Sequence, residues 1–406
     1  MSTSLLYHAF GISGYHYHRT DYQAGAVIFC IRKPNLALKC PLCGSHSVIK
    51  KGYVVRRFRT VPIGNKTVFI DCTIPRVFCN ECRVVRQIHL EFAEPRRSYT
   101  KAFKRYALEL SKRATIRDVA RHLGVSCDVI KEIQKTDLSK RFDRISLSRV
   151  RQIAIDEICI GKGHRYLTIV IDLATCTVLH VGEGKGSEAL SCFWKKAKRC
   201  RVTFDAIAVD MSPAYTGAIL DNMSKAKIIY DRFHIMKLYN EKLSRLRRDL
   251  QREYKNLPES KVLKGTRWLL LKNPENLDKQ PGKHEKQRLN KALKINEPLA
   301  KAYYLKDALR EFWRQESREK ASAHIKQWIK DALDTKISPI MTFAKTIKGH
   351  LFGLLNWFDY PISTGPLEGT NNKIKTLQRK AYGFRDREFF KLKIYALHEA
   401  RYALVG

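Results

Sequence analysis

Gln152-Ile-Ala-Ile-Asp156 is a short apolar run closed by an aspartate, and Asp205-Ala-Ile-Ala-Val-Asp210 repeats the pattern. Such runs read as central strands buried on both faces, with the acid standing where the chain leaves the core. Around them lie Arg165-Tyr-Leu-Thr-Ile-Val-Ile-Asp172, Cys176-Thr-Val-Leu-His-Val181 and Lys227-Ile-Ile-Tyr-Asp231, which are also strand-like. The segments 187–199 and 213–225 carry helical periodicity instead.

The resulting order β-β-β-α-β-α-β over residues 151–231 predicts a mixed five-stranded sheet of ribonuclease-H-like arrangement. In that order the first and fourth strands are neighbours, which brings Asp156 beside Asp210. Other acids fit less well. Glu157 follows Asp156, so strand alternation turns it to the opposite face. Asp172 heads a turn, and Asp205 begins its strand rather than ending it. Ordinary strand-end aspartates remain the alternative for the pair. A third acid, Glu368, lies in Ser363-Thr-Gly-Pro-Leu-Glu-Gly-Thr-Asn-Asn372. With Gly365 as N-cap and Pro366 as the first helical residue, Glu368 takes the third helical position. Asn371, Asn372 and Lys375 then share its face. On spacing alone Glu368 is equally a first-turn acid complementing the helix dipole. Two strand-end aspartates and a helix-borne glutamate suit two hard divalent cations, Mg²⁺ or Mn²⁺, which prefer oxygen ligands.

The chain has 406 residues, enough for two to four domains, and its 44% hydrophobic content argues for a folded protein. Its net charge of +38 far exceeds what solubility requires. A polyanionic partner accounts for it through counterion release, and nucleic acid is that partner. No apolar run is long enough to span a bilayer, and the first residues lack the order of a secretory signal. The expected location is the cytoplasm, with no membrane partner.

Seven of the eleven cysteines are scattered singly, a poor disulfide framework. The other four form two C-x-x-C knuckles, Cys40-Pro-Leu-Cys43 and Cys79-Asn-Glu-Cys82. Each knuckle presents two thiolates from one turn, as a structural, four-thiolate Zn²⁺ site requires. Strands at Val54-Val-Arg-Arg-Phe and Thr67-Val-Phe-Ile-Asp-Cys-Thr-Ile, joined by a turn at Ile63-Gly-Asn-Lys66, complete a zinc ribbon within residues 1–95. Cys30 and Cys72 read as core. In residues 96–136, Thr115 with Asp118 resembles a capping box, Gly124 makes a turn and Ser126 caps a second helix. This is a helix-turn-helix pattern offering Lys131 and Lys135 to DNA; a plain αα-hairpin is the alternative. Residues 137–150 are polar and unpatterned and read as a linker.

These features together resemble the DDE transposases of bacterial insertion sequences, and within them the ISL-three family. The resemblance runs nearly the whole length, in order. It includes the cysteine knuckles, Ala154-Ile-Asp-Glu157, Val209-Asp-Met-Ser-Pro-Ala-Tyr215 and Asp231-Arg-Phe-His234. It continues through Lys264-Gly-Thr-Arg-Trp-Leu-Leu-Leu-Lys-Asn273, Gly365-Pro-Leu-Glu-Gly-Thr-Asn-Asn-Lys-Ile-Lys375 and Ala381-Tyr-Gly-Phe-Arg385. It implies a metal-binding triad of Asp156, Asp210 and Glu368. It also implies an all-α insertion over 232–360, with residues 361–406 returning to the core. In the insertion, Arg245, Arg247, Arg248 and Arg252 lie on one long helix as either DNA contacts or a solvated face, and Trp268, Trp313 and Trp328 are expected core anchors. Asp231 and His234 are either a cap with a structural histidine or a supporting catalytic pair, beside Asn372 and Lys375. Arg245, Arg248 and Lys375 join Lys131 and Lys135 as expected DNA contacts.

The resemblance further implies cleavage at the ends of an insertion element and transfer of the freed 3′-hydroxyl into target DNA, with two metal ions holding the attacking and leaving oxygens. The terminal inverted repeats and target DNA are the expected partners, held by a homodimer or larger assembly. Two other readings share most of these residues: a ribonuclease-H-like nuclease without strand transfer, and a zinc and helix-turn-helix regulator without catalysis.

Overall fold

The structure is a computed structural model describing residues 2–34, 38–161, 163–256, 258–278 and 284–399. Contacts group the chain into two units, Met1–Arg144 with Thr376–Gly406, and Ile145–Lys375.

The first unit opens with helix α1 (Ser2–Phe10) and the hairpin β1 (His16–Gln23) and β2 (Ala26–Arg32). β3 (Val48–Ile63) and β4 (Lys66–Cys79) form a long antiparallel pair around a turn at Gly64 and Asn65, as expected, and β5 (Val85–Gln87) pairs with β4. The sheet order is β1-β2-β4-β3. Phe58 of β3 and Val68, Ile70 and Cys72 of β4 are buried, because alternate residues of a strand share one face and this face packs in the unit's core. Cys72 is therefore core as read, but Cys30 is only half-buried, its thiol 3.5 Å from the Asp21 carboxylate.

Three helices follow, α2 (Lys101–Ser111), α3 (Ile116–Leu123) and α4 (Cys127–Phe142), with Thr100, Thr115 and Ser126 each accepting a first-turn amide. Gly124 ends α3 with φ 62°, a left-handed conformation that suits glycine. Val119, Leu123, Ile130 and Ile133 close a small core, so the helix-turn-helix is present. The segment read as a linker differs from expectation. α4 runs on through Phe142 because Leu138 is buried against Phe389 and Ala396, which polarity alone did not reveal. Leu147 and Val150, also in that segment, belong to the core of the second unit.

The second unit holds β6 (Gln152–Gly161), β7 (Arg165–Asp172), β8 (Val178–Glu183), α5 (Ser191–Arg199), β9 (Ala206–Val209), α6 (Pro213–Asn222) and β10 (Lys227–Tyr230). Its sheet runs β10-β9-β6-β7-β8, with β6, β9 and β10 mutually parallel and β7 and β8 antiparallel. This is the ribonuclease-H-like order. Ile153, Ala154, Ile155 and all of β9 are fully buried, which explains their unbroken apolar run. Each such isoleucine contributes about 1.5–3 kcal/mol of burial.

The described residues within 232–360 form helices and no strand, as expected: α7 (Arg232–Glu253), α8 (Pro258–Leu263), α9 (Arg267–Leu271), α10 (Glu285–Ile295), α11 (Glu297–Glu311), α12 (Arg318–Asp334), α13 (Ser338–Gly349) and α14 (Leu351–Leu355). Tyr239, Trp328 and Phe343 meet edge-to-face in a core continuous with that of the sheet. Trp313 and Trp328 are buried anchors, but Trp268 is 65% exposed and stacks under the Arg267 guanidinium. Its helix, α9, is a short one that buries Leu269 and Leu270, and position 268 falls on the other face. Gly353 allows α14 to approach β10, where an added methyl would lie 2.4 Å from the Tyr230 ring.

α15 (Gly365–Lys380) carries Glu368, and α16 (Arg387–Tyr395) follows it. Of the described residues, 376–399 group with the first unit. Among the described residues no helix is long and apolar enough to cross a membrane.

Candidate active site and zinc site

β6 and β9 pair in parallel with Ala154 opposite Ala208, and the same offset two residues on sets Asp156 level with Asp210. β10 pairs with β9 with Tyr230 opposite Val209, so Asp231 falls level with Asp210 as well. Asp210 and Asp231 thus follow the last residues of β9 and β10, while Asp156 lies level with them inside β6, which runs on to Gly161, rather than at a strand end as expected. The position is where the sheet's connections reverse direction, since β7 extends one side of β6 and β9 the other; open α/β sheets bind ligands there.

α15 is tied to this edge by two hydrogen bonds. Asn371 Nδ2 donates to Asp156 Oδ2 at 3.0 Å, and the Thr364 amide donates to Asp231 Oδ1 at 3.0 Å. The helix begins at Gly365, one residue earlier than expected, so Glu368 takes its fourth position, its amide bonded to the Thr364 carbonyl. Glu368 lies one turn before Asn371 and is exposed, as are Asn372 and Lys375. Among the described residues, Cys40, Cys43, Cys79 and Cys82 form the group whose ligand atoms could hold one ion, all within 4.8 Å of one another; Asp156, Asp210 and Glu368 do not form such a group. Two ions about 3.5–4 Å apart need acids spread more widely than a single cage does.

Electrostatics set this cluster apart. Burial pushes the Asp156 carboxyl up to about 6, with the Glu157 amide and His234 opposing and Asp210 adding to the rise. Burial also raises Asp210, against a hydrogen bond from the Ser212 amide. Burial acts on Asp231 too, but hydrogen bonds from His234 and the Thr364 amide outweigh it and hold that carboxyl low. Asp231 caps α7, and His234 Nδ1 lies 3.2 Å from its Oδ2; that bond raises the histidine's pKa. Half-buried acids with raised pKa values, set in a strongly basic chain, have the chemistry of a cation site.

The remaining acids have other duties. Glu157 accepts from the Tyr215 hydroxyl at 3.3 Å, and Asp172 accepts from Thr175 and the Ala174 amide as a turn residue. Glu368 and Asp231 also line a cavity of about 840 Å³ walled by Arg247, Arg248, Arg267 and Arg310. Within it, Asn240 Oδ1 and Arg247 Nε are buried with no hydrogen-bond partner. Asn240, Arg267 and Arg310 were not singled out from the sequence, where only the fold brings them to Glu368. Arg245 points to an intrahelical pair with Asp249 at 3.8 Å. Lys131 and Lys135 are not simply presented to solvent: both pair with Asp386, at 3.0 and 2.9 Å.

The zinc site is compact. β3 and β4 pair with Val48 opposite Cys79, which sets one knuckle beside the other. The Cys43 and Cys79 sulfurs are 3.6 Å apart. Tetrahedral zinc with bonds near 2.3 Å asks for about 3.8 Å, so the four thiols fit the ion. The amides of Leu42 and Cys82 donate to the Cys40 and Cys79 sulfurs, each at 3.4 Å. Backbone amides at Cys43 and Leu42 lower the Cys40 thiol to about 7, favouring the thiolate that binds metal.

Three family models match in the order of these parts. A zinc-finger model of transposases of the IS204/IS1001/IS1096/IS1165 group covers 37–82, a helix-turn-helix model of transposase family ISL3 covers 88–136, and an ISL3 transposase model covers 153–394. The chain belongs to the ISL3 transposase family. It is 31% identical to the transposase for insertion sequence element IS1001 of Bordetella parapertussis, over 95% of this chain and 96% of that one. It is 25% identical to the transposase for IS1557 of Mycobacterium tuberculosis, over 92% and 89%. A Drosophila P element transposase strand transfer complex aligns with TM-score 0.36 and 10% identity, covering 73% of this chain and 91% of that one. The transposase therefore carries a zinc ribbon and a helix-turn-helix ahead of its catalytic domain.

Proposed function

We propose that this transposase cuts DNA at the ends of an insertion element and joins the freed 3′-hydroxyl to target DNA at a centre built from Asp156, Asp210 and Glu368. The observation carrying this reading is the parallel register that sets Asp156 level with Asp210, together with the Asn371 bond that packs α15 on Asp156. Two Mg²⁺ or Mn²⁺ ions held by these acids would supply the positive charge that an in-line displacement at phosphorus needs. Asp156 and Asp210, half-buried, would hold fixed positions on the sheet, and Glu368 would approach from the helix. Asn371 orients the Asp156 carboxylate. Asp231 holds His234 by its Nδ1 side, leaving the other ring nitrogen to hydrogen-bond a phosphate or carry a proton. Arg248 in the neighbouring cavity, and Lys375 on α15, would contact phosphates.

The helix-turn-helix would read the terminal inverted repeats, and at least two copies would hold the two ends together. The test is cleavage and joining of DNA bearing candidate ends, with Mg²⁺ present or withheld. Asp156→Ala, Asp210→Ala and Glu368→Ala should each lose cleavage while keeping DNA binding. Cleavage without joining of precut ends would instead make the protein a nuclease. Binding by the wild type without metal-dependent cleavage would leave the regulator reading.

A further inference from the structure

The segment after Lys375 has no part in the acid cluster, yet it is built with care. Residues 376–399 group in the same unit as the helix-turn-helix. Asp386 accepts the Phe389 amide as the cap of α16 and binds both Lys131 and Lys135 of α4. Lys393 of α16 donates to Gln134 of α4 at 3.2 Å. These bonds hold the turn between α15 and α16, residues 381–386, against the helix-turn-helix.

The turn forms one wall of a groove of about 960 Å³, and α3 with the start of α4 forms the other. Arg117 and Arg121 line one side; Arg379 and Arg385 line the opposite side. Asp118 and Asp386, the acids in the lining, are both engaged, the first by Thr115 and the second by the two lysines. At the rim stands Tyr382, fully exposed and with φ 52°. A left-handed backbone disfavours a bulky side chain, and a bare aromatic ring gains nothing from water. Neither turn geometry nor packing accounts for a tyrosine here; an outlier of this kind points to use.

We infer that this groove holds a single DNA strand, its phosphates between the two pairs of arginines and one base stacked on Tyr382. An exposed ring stacks on the face of an unpaired base, a face that a duplex keeps covered in its own stack, so the occupant is a single strand. The basic walls supply the phosphate contacts, and the exposed ring supplies a stacking platform, the two parts that strand-binding surfaces combine. Lys131 and Lys135 then act as positioning residues that hold the turn in place through Asp386. The inference rests on the reading that the protein works on DNA, and adds a site for an unpaired strand beside the element that reads the duplex.

The experiment measures fluorescence anisotropy of full-length, zinc-loaded protein with a labelled 20-nucleotide oligothymidylate and with a blunt 20-base-pair duplex, across a salt series. Tyr382→Ala should weaken oligothymidylate binding about 5- to 150-fold, the loss of one stacked base, and change duplex binding far less. Tyr382→Phe should bind as the wild type does. Arg379→Gln with Arg385→Gln should lower the steepness of the log-affinity against log-salt plot for the oligonucleotide by about 1.4, two single-strand phosphate contacts. Thermal melting of each variant should match the wild type, since all three side chains line open space. Unchanged oligothymidylate affinity in Tyr382→Ala, or no oligothymidylate binding by the wild type, overturns the groove. If duplex binding persists in that case, the DNA reading itself still stands; if it is absent too, both fail.

Discussion

Replacing Asp156 by asparagine should stabilise the metal-free protein at neutral pH. The carboxyl titrates near 6 in the fold against an ordinary 3.8, because burial penalises its charge. Ionising it in the folded state at pH 7 therefore costs about 3 kcal/mol. The sign follows from the raised value: the fold favours the protonated acid, so its contribution is complete below pH 3.8 and is lost as pH climbs through 6. Asparagine carries no charge to penalise. Its amide also has partners. The present carboxylate accepts from the Glu157 amide at 2.8 Å and from Asn371 Nδ2 at 3.0 Å. The oxygen of an asparagine keeps the first bond, and its NH₂ faces Asn371, whose Oδ1 is buried and unpartnered. Rotating the Asn371 amide pairs the two. Little of the 3 kcal/mol is then returned, and a gain of about 2–3 kcal/mol remains.

For a unit the size of Ile145–Lys375, that gain corresponds to about 4–12 °C in melting temperature. The assay is differential scanning calorimetry in magnesium-free buffer, with no chelator so that zinc stays in place. Asp156→Asn should melt above the wild type at pH 7 and level with it at pH 4. Adding Mg²⁺ at a hundredfold excess over its dissociation constant should raise the wild type by about 2.7 kcal/mol and leave the variant where it was. A variant that melts below the wild type at pH 7 would refute the argument that burial, uncompensated, sets this acid's energy.

Three other outcomes are expected. Gly353→Ala should destabilise the second unit by about 1–3 kcal/mol in urea, because the added methyl lies 2.4 Å from the packed Tyr230 ring. Cys79→Ser should remove one zinc per chain by atomic absorption and unfold the ribbon, while the transition of Ile145–Lys375 stays put. Asp231→Ala should cost about 2–4 kcal/mol by chemical denaturation, since the amides of His234 and Thr364 lose a buried acceptor, and should return the His234 pKa toward its ordinary 6.5 by NMR titration.

Local signals carried much of the architecture. Apolar runs ending in Asp156 and Asp210 mark central strands because burial on both faces leaves no alternation, and the knuckles fix the ribbon because two C-x-x-C turns leave few ways to meet. Capping residues Thr115 and Ser126 place the helix-turn-helix within a residue or two. What escaped depends on distant pairing. β1 and β2 carry mixed polarity, since β1 is an edge whose outer face meets water. Trp268 lies in an apolar stretch, Trp-Leu-Leu-Leu, where a helix of five residues must leave one large side chain outside. The Asn371 bond to Asp156 joins residues 215 apart, and no spacing rule reaches so far. Lys131 and Lys135 look like free cations on a helix face until Asp386, the cap of a different helix, is folded onto them.

The acids and the arginines pose one problem in opposite directions. A chain of net charge +38 gains from polyanion binding everywhere on its surface, so charge alone cannot select where chemistry takes place. Selection comes from burial. Where β9 ends level with the middle of β6, desolvation makes Asp156 and Asp210 costly to ionise, and the divalent cation that relieves this cost is the one the proposed reaction uses. Replacing those acids would make the fold more stable and remove its reason to bind metal. The sheet edge thus retains a liability that ordinary packing would have eliminated, and such local conflicts are expected where a fold has been kept for function rather than stability.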